Sequence, residues 1–448
     1  MDDSSPRELS LRVLDHAAHP LTGGSHDYDA LLDLIGDRHI VMIGEASHGT
    51  HEFYRERSRL TKRLIDEFGF DAVTIEGDWP DAYRVNRYVT GVDNTTDAQG
   101  ALGGFERFPN WMWRNRDVLT FVQWLRARND AFADWEQKVH FYGLDLYSLR
   151  TSIEWVVTYL DAVDPRAAHD ARQRYACFDH VKREGQTYGY ALARGAADPC
   201  EHQVVEQLLE LRRFGDAYLR RDGLLAQDEQ FSAEQNAVLV HDAEEYYRQM
   251  FRAEVSSWNL RDTHMANTLD AILHHLSTPR RRAKIIVWAH NSHVGDARAT
   301  EMGQRGEHNI GQLARQRYPR DSALVGFSTF AGHVTAASTW GGIVERKRVR
   351  EGLDGSHELL FHQAAQDNFW VSSRDLDLDP LLSQDRLARA IGVIYRPESE
   401  RHSHYFRTNL PRQFDAIIHI DHTSALEPLD PTTLWDAGEP AETYPSGL

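Results

Sequence analysis

Residues 39–57 read HIVMIGEASHGTHEFYRER. The apolar run HIVMIG leads through a polar turn into a segment with helical periodicity, which is the strand–turn–helix order of an α/β protein. Similar runs recur along the chain with little polar alternation, as expected for strands buried on both faces of a mostly parallel sheet. They predict eight strands, at 39–44, 71–77, 139–145, 283–291, 322–330, 369–373, 390–395 and 415–421.

The stretch from 148 to 282 differs from the rest of the chain. It is highly charged and has helical periodicity, as in VVEQLLELRRFGDAYL and NAVLVHDAEEYYRQMF, but it contains no convincing strand. We interpret it as a helical insertion between the third and fourth strands. The chain is then a single α/β domain whose core is formed by 1–147 and 283–430, with helices flanking the sheet. The tail at 431–448, which ends in GEPAETYPSGL, is predicted to be flexible.

Charge and composition argue against several classes of protein. A formal net charge of −18 disfavours a nucleic-acid partner or an anionic membrane, because both require a positive surface. No apolar run approaches the ~20 residues of a membrane-spanning helix, and MDDSSPRELS lacks the features of a secretory signal. The two cysteines, Cys177 and Cys200, have no zinc-ligand spacing and predict no disulfide framework, so we expect a reducing, cytoplasmic location.

Titratable side chains stand where four of the predicted strands end. Ligand sites in open α/β sheets lie beyond the carboxyl ends of the strands, so we expect these side chains to share one site. They are Glu45, His48, Glu76, Asp145, His290 and His293. Substrate binding is assigned to Asp145, Asn291, Trp79 and Trp111. For Trp111, in WMWRNRD, an aromatic wall and ordinary core packing are both open.

Within the turn, His48 is the predicted general base. It precedes a helix start, where the positive end of the helix dipole disfavours an imidazolium, and Glu45 could orient it. Ser47 is not predicted to be a nucleophile. Gly44 lies three residues before it, whereas the G-x-S-x-G nucleophile elbow requires a spacing of two. A helix-capping role for Ser47 or Thr50 is favoured instead.

Arg57 falls on the apolar face of the helix that follows the turn. It lies four residues after Phe53 and three before Leu60, so the three side chains point the same way. A guanidinium that faces a sheet needs a carboxylate or a bound anion to compensate its charge. Glu45 and Glu76 are the expected partners, and this ties Arg57 to the candidate site.

His290 and His293 form an HxxH pair that leaves the chemistry of the site open. Their spacing differs from the i, i+4 pair of a zincin helix. Together with His48 they could build a His/Glu metal site, or a metal-free site that grips a carbonyl or an oxyanion. A buried Arg57 would repel a dication, so we predict no metal and no other cofactor.

Six motifs taken together resemble those of the erythromycin esterase family. They are GEASHGTHEFYRER, IEGDWPDAYRVNRY, FYGLDLYSL, VWAHNSHVGD, RPESERHSHYF and LPRQFDAIIHIDHTSALEP. The resemblance extends from about residue 10 to residue 430. It implies an α/β core with a helical insertion and a deep cleft.

The resemblance also implies a chemistry. Characterised members hydrolyse macrolide lactones with activated water, without a metal and without an acyl-enzyme. By motif position His48 resembles the general base, and the other polar cleft residues are matched by Glu45, Arg57, Glu76, His290 and His293. The resulting hypothesis is a metal-independent hydrolase of a small-molecule ester or lactone. The alternatives are a metal-dependent hydrolase that uses the same His/Glu set, and a non-catalytic binding or biosynthesis-associated protein.

Overall fold

The computed structural model describes residues 6–93, 96–178, 185–195, 199–219, 223–250 and 254–437. Its strands, in chain order, are β1 His19–Pro20, β2 Ile40–Ile43, β3 Ala72–Asp78, β4 His140–Asp145, β5 Ile285–Trp288, β6 Ser322–Ser328, β7 Ala331–Ala337, β8 Val344–Val349, β9 Asn368–Ser372, β10 Arg386–Arg389, β11 Tyr405–Thr408, β12 Ala416–Ile420 and β13 His422–Thr423.

The helices, in chain order, are α1 Pro6–Ala17, α2 Asp29–Ile35, α3 His51–Phe68, α4 Trp79–Val89, α5 Ala98–Ala101, α6 Arg116–Asn129, α7 Leu149–Val163, α8 Pro165–Tyr175, α9 Gly185–Ala193, α10 Glu201–Leu219, α11 Gly223–Gln249, α12 Glu254–Leu276, α13 Asn291–Val294, α14 Glu301–Gln304, α15 Ile310–Arg317, α16 His357–His362, α17 Ser373–Asp377, α18 Glu400–Ser403, α19 Leu410–Gln413 and α20 Thr433–Ala437. Over the described ranges, none of them combines the length and apolar character that crossing a bilayer requires.

Eight strands form one large sheet in the order β1-β9-β12-β6-β2-β5-β3-β4. From β12 to β4 every neighbouring pair is parallel, and only the β9 edge, with β1 beyond it, is antiparallel. The predicted mostly parallel sheet flanked by helices is therefore confirmed. In this order β2, β5, β3 and β4 are direct neighbours, so their carboxyl ends open onto one place.

Helices cover both faces of the sheet, which explains the continuously apolar strands. On one face Met42 and Val287 pack into a cluster with side chains of α7, α11 and α12. On the other face Val41 and Trp288 pack with the apolar sides of α3 and α6. Because consecutive strand residues point to opposite faces, each strand contributes apolar side chains to both layers.

Seven of the eight predicted strands lie in this sheet, and the prediction for AIGVIY (390–395) is wrong. That segment is extended but forms only isolated bridges, Ser47↔Ile391 and Ala337↔Ile394. Ile391 and Tyr395 are buried, and the other apolar residues of the segment are partly buried, beside the turn after β2 and strand β7. Burial rather than ladder pairing therefore explains its composition. Three small ladders were not predicted, β10 with β11, β7 with β8, and β13 with β7.

Two further expectations concern the cysteines and the tail. Contrary to the expectation from their spacing, Cys177 and Cys200 are joined by a disulfide, with 6.0 Å between their Cα atoms. The two cysteines are 23 residues apart in sequence, with Cys200 directly before α10, and no local motif signals their pairing. Of the tail, Thr433–Ala437 forms α20, whose Trp435 indole donates to Thr335 Oγ1 at 2.7 Å, and 438–448 lies outside the described residues.

Candidate active site

A cavity of about 440 Å³ opens at the carboxyl ends of β2, β5, β3 and β4. Four of the six residues predicted to be catalytic, His48, Glu76, His290 and His293, line it. Much of the remaining lining is apolar and aromatic. Its members include Phe105, Pro109, Met112, Trp113, Trp258, Met302, Trp340 and Val393.

The turn after β2 forms a buried chain of three side chains. Arg57 Nη2 donates to Glu45 Oε2 at 2.9 Å, and Glu45 Oε1 lies 2.8 Å from His48 Nδ1. Arg57 and Glu45 are fully buried, and the guanidinium also stacks over the rings of Tyr54 and Trp288, at 4.2 and 5.1 Å. An ionised carboxylate only accepts hydrogen bonds, so Glu45 places the ring proton of His48 on Nδ1 and leaves Nε2 as a proton acceptor. Arg57 and Glu45 thus support His48 from behind the cavity wall.

The backbone of the turn is held from two sides. The Ile391 N–H donates to the Ala46 carbonyl at 2.9 Å, and the His48 N–H donates to the Ile391 carbonyl at 3.3 Å. Gly49 approaches β7 so closely that a Cβ would lie 1.8 Å from the Thr335 carbonyl oxygen. The GEASHG turn therefore depends on contacts with residues far away in sequence. Position 49 requires glycine because there is no space for a side chain.

Ser47 lies outside the cavity lining. Its buried hydroxyl bonds to that of Thr50. Thr50 occupies the N-cap position of α3, but its side chain makes no capping hydrogen bond, contrary to the expectation from sequence. The two hydroxyls therefore satisfy each other within the turn.

His290 is a neutral imidazole that keeps one N–H donor. The Ser292 backbone N–H donates to His290 Nδ1 at 3.2 Å, so the ring proton lies on Nε2. Burial, reinforced by the neighbouring His48, lowers the pKa of His290 to about 3. Nε2 has no well-aligned hydrogen-bond partner among the residues that the structure describes, although a hydrogen bond with the Ala46 backbone opposes the fall in the pKa of the ring. Such a donor suits an oxygen that gains negative charge during a reaction.

Glu76 and His293 form a second buried pair. His293 Nε2 lies 3.2 Å from Glu76 Oε1, while Glu76 Oε2 accepts the His290 backbone N–H at 2.8 Å. Burial by itself would raise the pKa of Glu76, but the charges of His293 and Arg261 hold it well below its usual value. Glu76 is therefore an ionised carboxylate at neutral pH.

Arg261, on α12, was not predicted from the sequence. Its guanidinium donates twice to Asp145, at 2.9 and 2.7 Å, and once to Glu76 Oε1, at 2.8 Å. Asp145, which was assigned to substrate binding, lines the cavity but is engaged by this bidentate pair. Burial would raise the pKa of Asp145, and Arg261 lowers it instead.

Two further members of α12 were also missed, Trp258 and Asp262. The indole of Trp258 stacks on the ring of His293, with 4.5 Å between centroids. Asp262 meets His293 Nδ1 at 2.9 Å. Trp258 and Asp262 are spaced i, i+4, and Asp262 precedes the buried Met265 by three residues, which is the spacing that singled out Arg57 on α3. The same test applied to α12 would have found them.

A second acidic group lines the cavity beside these residues. Arg107 Nε donates to Asp78 Oδ2 at 3.0 Å, and its guanidinium lies 4.8 Å from the centre of the Tyr147 ring. Burial and the neighbouring charge of Asp78 raise the pKa of Asp81 to about 8. At neutral pH Asp81 is therefore mostly protonated, beside the ion pair of Asp78 and Arg107.

Three residues assigned to substrate binding do not line the cavity. The Asn291 side chain donates to the Phe327 carbonyl at 2.7 Å and accepts its N–H at 3.2 Å, so its amide joins α13 to β6. Trp79 is buried, stacks on Tyr142 and belongs to the core, as Trp111 does on the other face of the sheet. In their place Trp113 lines the cavity, and its indole donates to the Glu76 carbonyl at 3.1 Å.

The donor set does not match a metal centre. Within the described ranges, no group of three or more His, Cys, Asp or Glu side chains is arranged to hold a metal ion. The carboxylates that such a site would use are taken by cations, Glu76 and Asp145 by Arg261 and Glu45 by Arg57. A dication at this place would have to displace those guanidinium groups.

Several known proteins are similar to this chain along most of its length. It is 23% identical over 430 residues to an erythromycin esterase type II of Escherichia coli, covering 90% of this chain and 93% of that protein. It is 20% identical over 435 residues to the putative hydrolase YbfO of Bacillus subtilis (strain 168), covering 91% and 90%.

Solved structures share the fold at similarly low identity. The crystal structure of a succinoglycan biosynthesis protein superposes with a TM-score of 0.75 at 20% identity, over 95% of this chain and all of that one. The erythromycin esterase EreC, solved as a histidine-to-asparagine mutant in its open conformation, superposes with a TM-score of 0.64 at 17% identity, over 92% and 96%. The family model for erythromycin esterase matches residues 65–423. The chain therefore belongs to the erythromycin esterase family.

Proposed function

We propose that the protein hydrolyses a small-molecule ester or lactone with water activated by His48, without a metal and without a covalent intermediate. The observation that carries this proposal is that two histidines with opposite tautomers line one cavity, one suited to accept a proton and the other to donate one. His48 has its proton directed to Glu45, and the neutral His290 carries a proton on Nε2 that no well-aligned acceptor takes among the described residues. Their ring centroids are 4.8 Å apart, so a single carbonyl group could contact both.

In this mechanism His48 Nε2 takes a proton from water as the water attacks the carbonyl carbon. The carbonyl oxygen gains negative charge and accepts the Nε2–H of His290, a donor that needs no reorganisation. The imidazolium formed on His48 is stabilised by the carboxylate of Glu45, which Arg57 holds in place from behind. Collapse of the tetrahedral intermediate returns the proton to the leaving alkoxide.

The helices between β4 and β5 complete the cavity in this proposal. We regard them as an insertion into the α/β core that supplies Trp258, Arg261 and Asp262 to the polar cluster. The apolar wall favours a bulky substrate, and a macrolide lactone is one candidate. We further propose that the enzyme is cytoplasmic and has no nucleic-acid or membrane partner, because both partners require a positive surface and the net charge of this chain is −18.

A panel of esters and lactones that includes macrolides tests the proposal, with wild type, a His48→Asn variant and added chelator as its arms. We expect chelator-insensitive turnover that the variant lacks. Loss of turnover on chelation, together with a stoichiometric metal in the purified protein, would favour the metal-dependent alternative. Ligand binding without turnover of any substrate would favour a non-catalytic member of the family.

Replacing Ser47 by alanine is expected to leave kcat within about threefold of wild type. The hydroxyl lies outside the cavity lining and bonds only within the turn, so its removal forfeits a net stabilisation of about 1 kcal/mol and no chemistry. Steady-state kinetics on the best substrate of the panel measures this. A collapse of turnover, with an acyl adduct in the mass spectrum of the wild-type protein, would instead indicate a serine nucleophile.

A further inference from the structure

Asp262 is a fully buried carboxylate whose two oxygens are directed at one imidazole. They lie 2.9 and 3.0 Å from His293 Nδ1, and Oδ1 also accepts the Ile310 N–H at 2.9 Å. Asp262 belongs to α12, whereas His293 follows β5. A buried carboxylate is costly unless it is paired and hydrogen-bonded, and His293 is the only cationic partner that the described residues give it within ion-pair distance.

Asp262 begins a chain of alternating charge. Its members, in order, are Asp262, His293, Glu76, Arg261 and Asp145. The successive contacts are 2.9, 3.2, 2.8 and 2.7 Å. Arg261 Nη1 also lies 3.0 Å from His293 Nε2. A guanidinium only donates, so that contact would be a hydrogen bond only if Nε2 carried no proton. We assign a proton to both ring nitrogens because a carboxylate stands at each of them, Asp262 at Nδ1 and Glu76 at Nε2.

We infer that Asp262 is a positioning residue of the active site, which orients His293 and keeps it an imidazolium so that the His293–Glu76 pair stays charged beside His48. Two adjacent residues of α12, Arg261 and Asp262, then fix the two ends of the pair from outside the sheet. The helical segment would thus set the electrostatics of the site as well as close its wall. This role in turnover rests on the proposed hydrolysis, but the charge state of His293 does not.

The charges around His293 determine the direction of its titration. Asp262 and Arg261 face it from α12, Glu76 from β3, and the neutral His290 from its own segment. Burial would lower the pKa of His293, but Asp262 and Glu76 raise it to about 9. The raised value means that this group stabilises the fold fully below the usual histidine pKa of about 6.5, and that the contribution is lost as pH rises through about 9.

An Asp262→Asn variant tests the inference, because asparagine keeps the shape and an acceptor for Ile310 but removes the charge. We expect the pKa of His293 to fall by about 1–2 units, the usual effect of one adjacent opposite charge. The alkaline limb of the kcat/KM profile should move to lower pH by the same amount. An Asp262→Glu variant should keep the wild-type limb even if kcat falls.

The matched control is Asp242→Asn. Asp242, on α11, bonds at 2.6 Å to Nδ1 of His264, which lies on α12 as Asp262 does. Neither Asp242 nor His264 lines the cavity. Its loss should leave the pH profile unchanged. If Asp242→Asn shifts the limb as far as Asp262→Asn does, general destabilisation rather than positioning explains the result, and the inference fails.

Histidine ring titration by NMR, with ¹⁵N-labelled histidine, separates the inference from the proposed function. The His293 signals are assigned by their loss in His293→Gln. In wild type the ring should remain protonated at pH 8, whether or not any ester is turned over. A wild-type ring that titrates near pH 6.5, or a titration unchanged in Asp262→Asn, overturns the inference. If Asp262→Asn does not fold, the wild-type titration alone decides.

Discussion

Replacing His48 by asparagine is expected to lower kcat for ester or lactone hydrolysis by about 10²–10⁴-fold, the usual contribution of a general base. The loss should appear in kcat rather than KM, because the imidazole acts on water in the transition state. Asparagine can still donate to Glu45, so the buried carboxylate keeps a partner. Stopped assays with product quantification over the pH range of wild-type activity measure the effect.

A matched control for this experiment is His51→Asn. His51 stands three residues further along the same motif, is partly exposed and bonds to Asp117 at 2.8 Å outside the cavity lining. We expect this variant to keep turnover within about threefold of wild type, since a partly exposed ion pair contributes at most about 1 kcal/mol. Near wild-type turnover in His48→Asn, with its fold confirmed by circular dichroism, would falsify the assignment of the base.

Replacing Arg57 by methionine is expected to reduce the free energy of unfolding by about 3–5 kcal/mol, the usual consequence of removing one partner of a buried ion pair. Arg57 and its partner Glu45 are both fully buried, so in the variant Glu45 would remain as a buried carboxylate that only His48, among the described residues, compensates. Methionine retains much of the apolar contact with Tyr54 and Trp288, which isolates the charge effect. Urea unfolding followed by tryptophan fluorescence measures it.

The double variant Arg57→Met/Glu45→Leu separates two contributions to the free energy of unfolding. One is the cost of leaving Glu45 as an unpaired buried charge, and the other is the net contribution of the Arg57–Glu45 pair. Arg57 Nε and Nη1 have no hydrogen-bond partner within the described structure, so the pair holds unmet polar groups. We therefore expect the double variant to recover most of the lost stability while remaining inactive, because His48 loses its orienting carboxylate.

Arg55→Met is the matched control, because Arg55 pairs with Glu56 on the same helix but has a side chain that is 49% exposed. It should change the unfolding free energy by less than about 1 kcal/mol. Equal losses in Arg57→Met and Arg55→Met would contradict the buried-pair account.

Much of the fold follows from local patterns that the chain carries on its own. Apolar runs without polar alternation predicted seven strands of the main sheet, because a strand buried on both faces has no polar side. The 390–395 run was misread because an extended segment buried between a turn and a strand has the same composition. The apolar composition of a segment indicates that it is buried. Whether it joins a sheet depends on which other backbone segment lies beside it in the tertiary structure.

For the site, the sequence determined the turn and the place of Arg57. The spacing Phe53, Arg57, Leu60 fixes one helix face whatever the rest of the chain does, and the structure buries that face. Glu45 and His48 are three residues apart, so their contact is local as well. Spacing also separated Ser47 from a nucleophile elbow without any tertiary information.

Only the tertiary structure decided which distant groups complete the site. The strand order β2-β5-β3-β4 brings His48, His290, Glu76 and Asp145 together, and α12 then delivers Arg261 and Asp262 across more than a hundred residues from Asp145. Helical periodicity shows that α12 has a buried face, but it does not show which residues pack against that face. The charge state of His293 also depends on tertiary contacts, because it is set by carboxylates from two separate elements and by the exclusion of water.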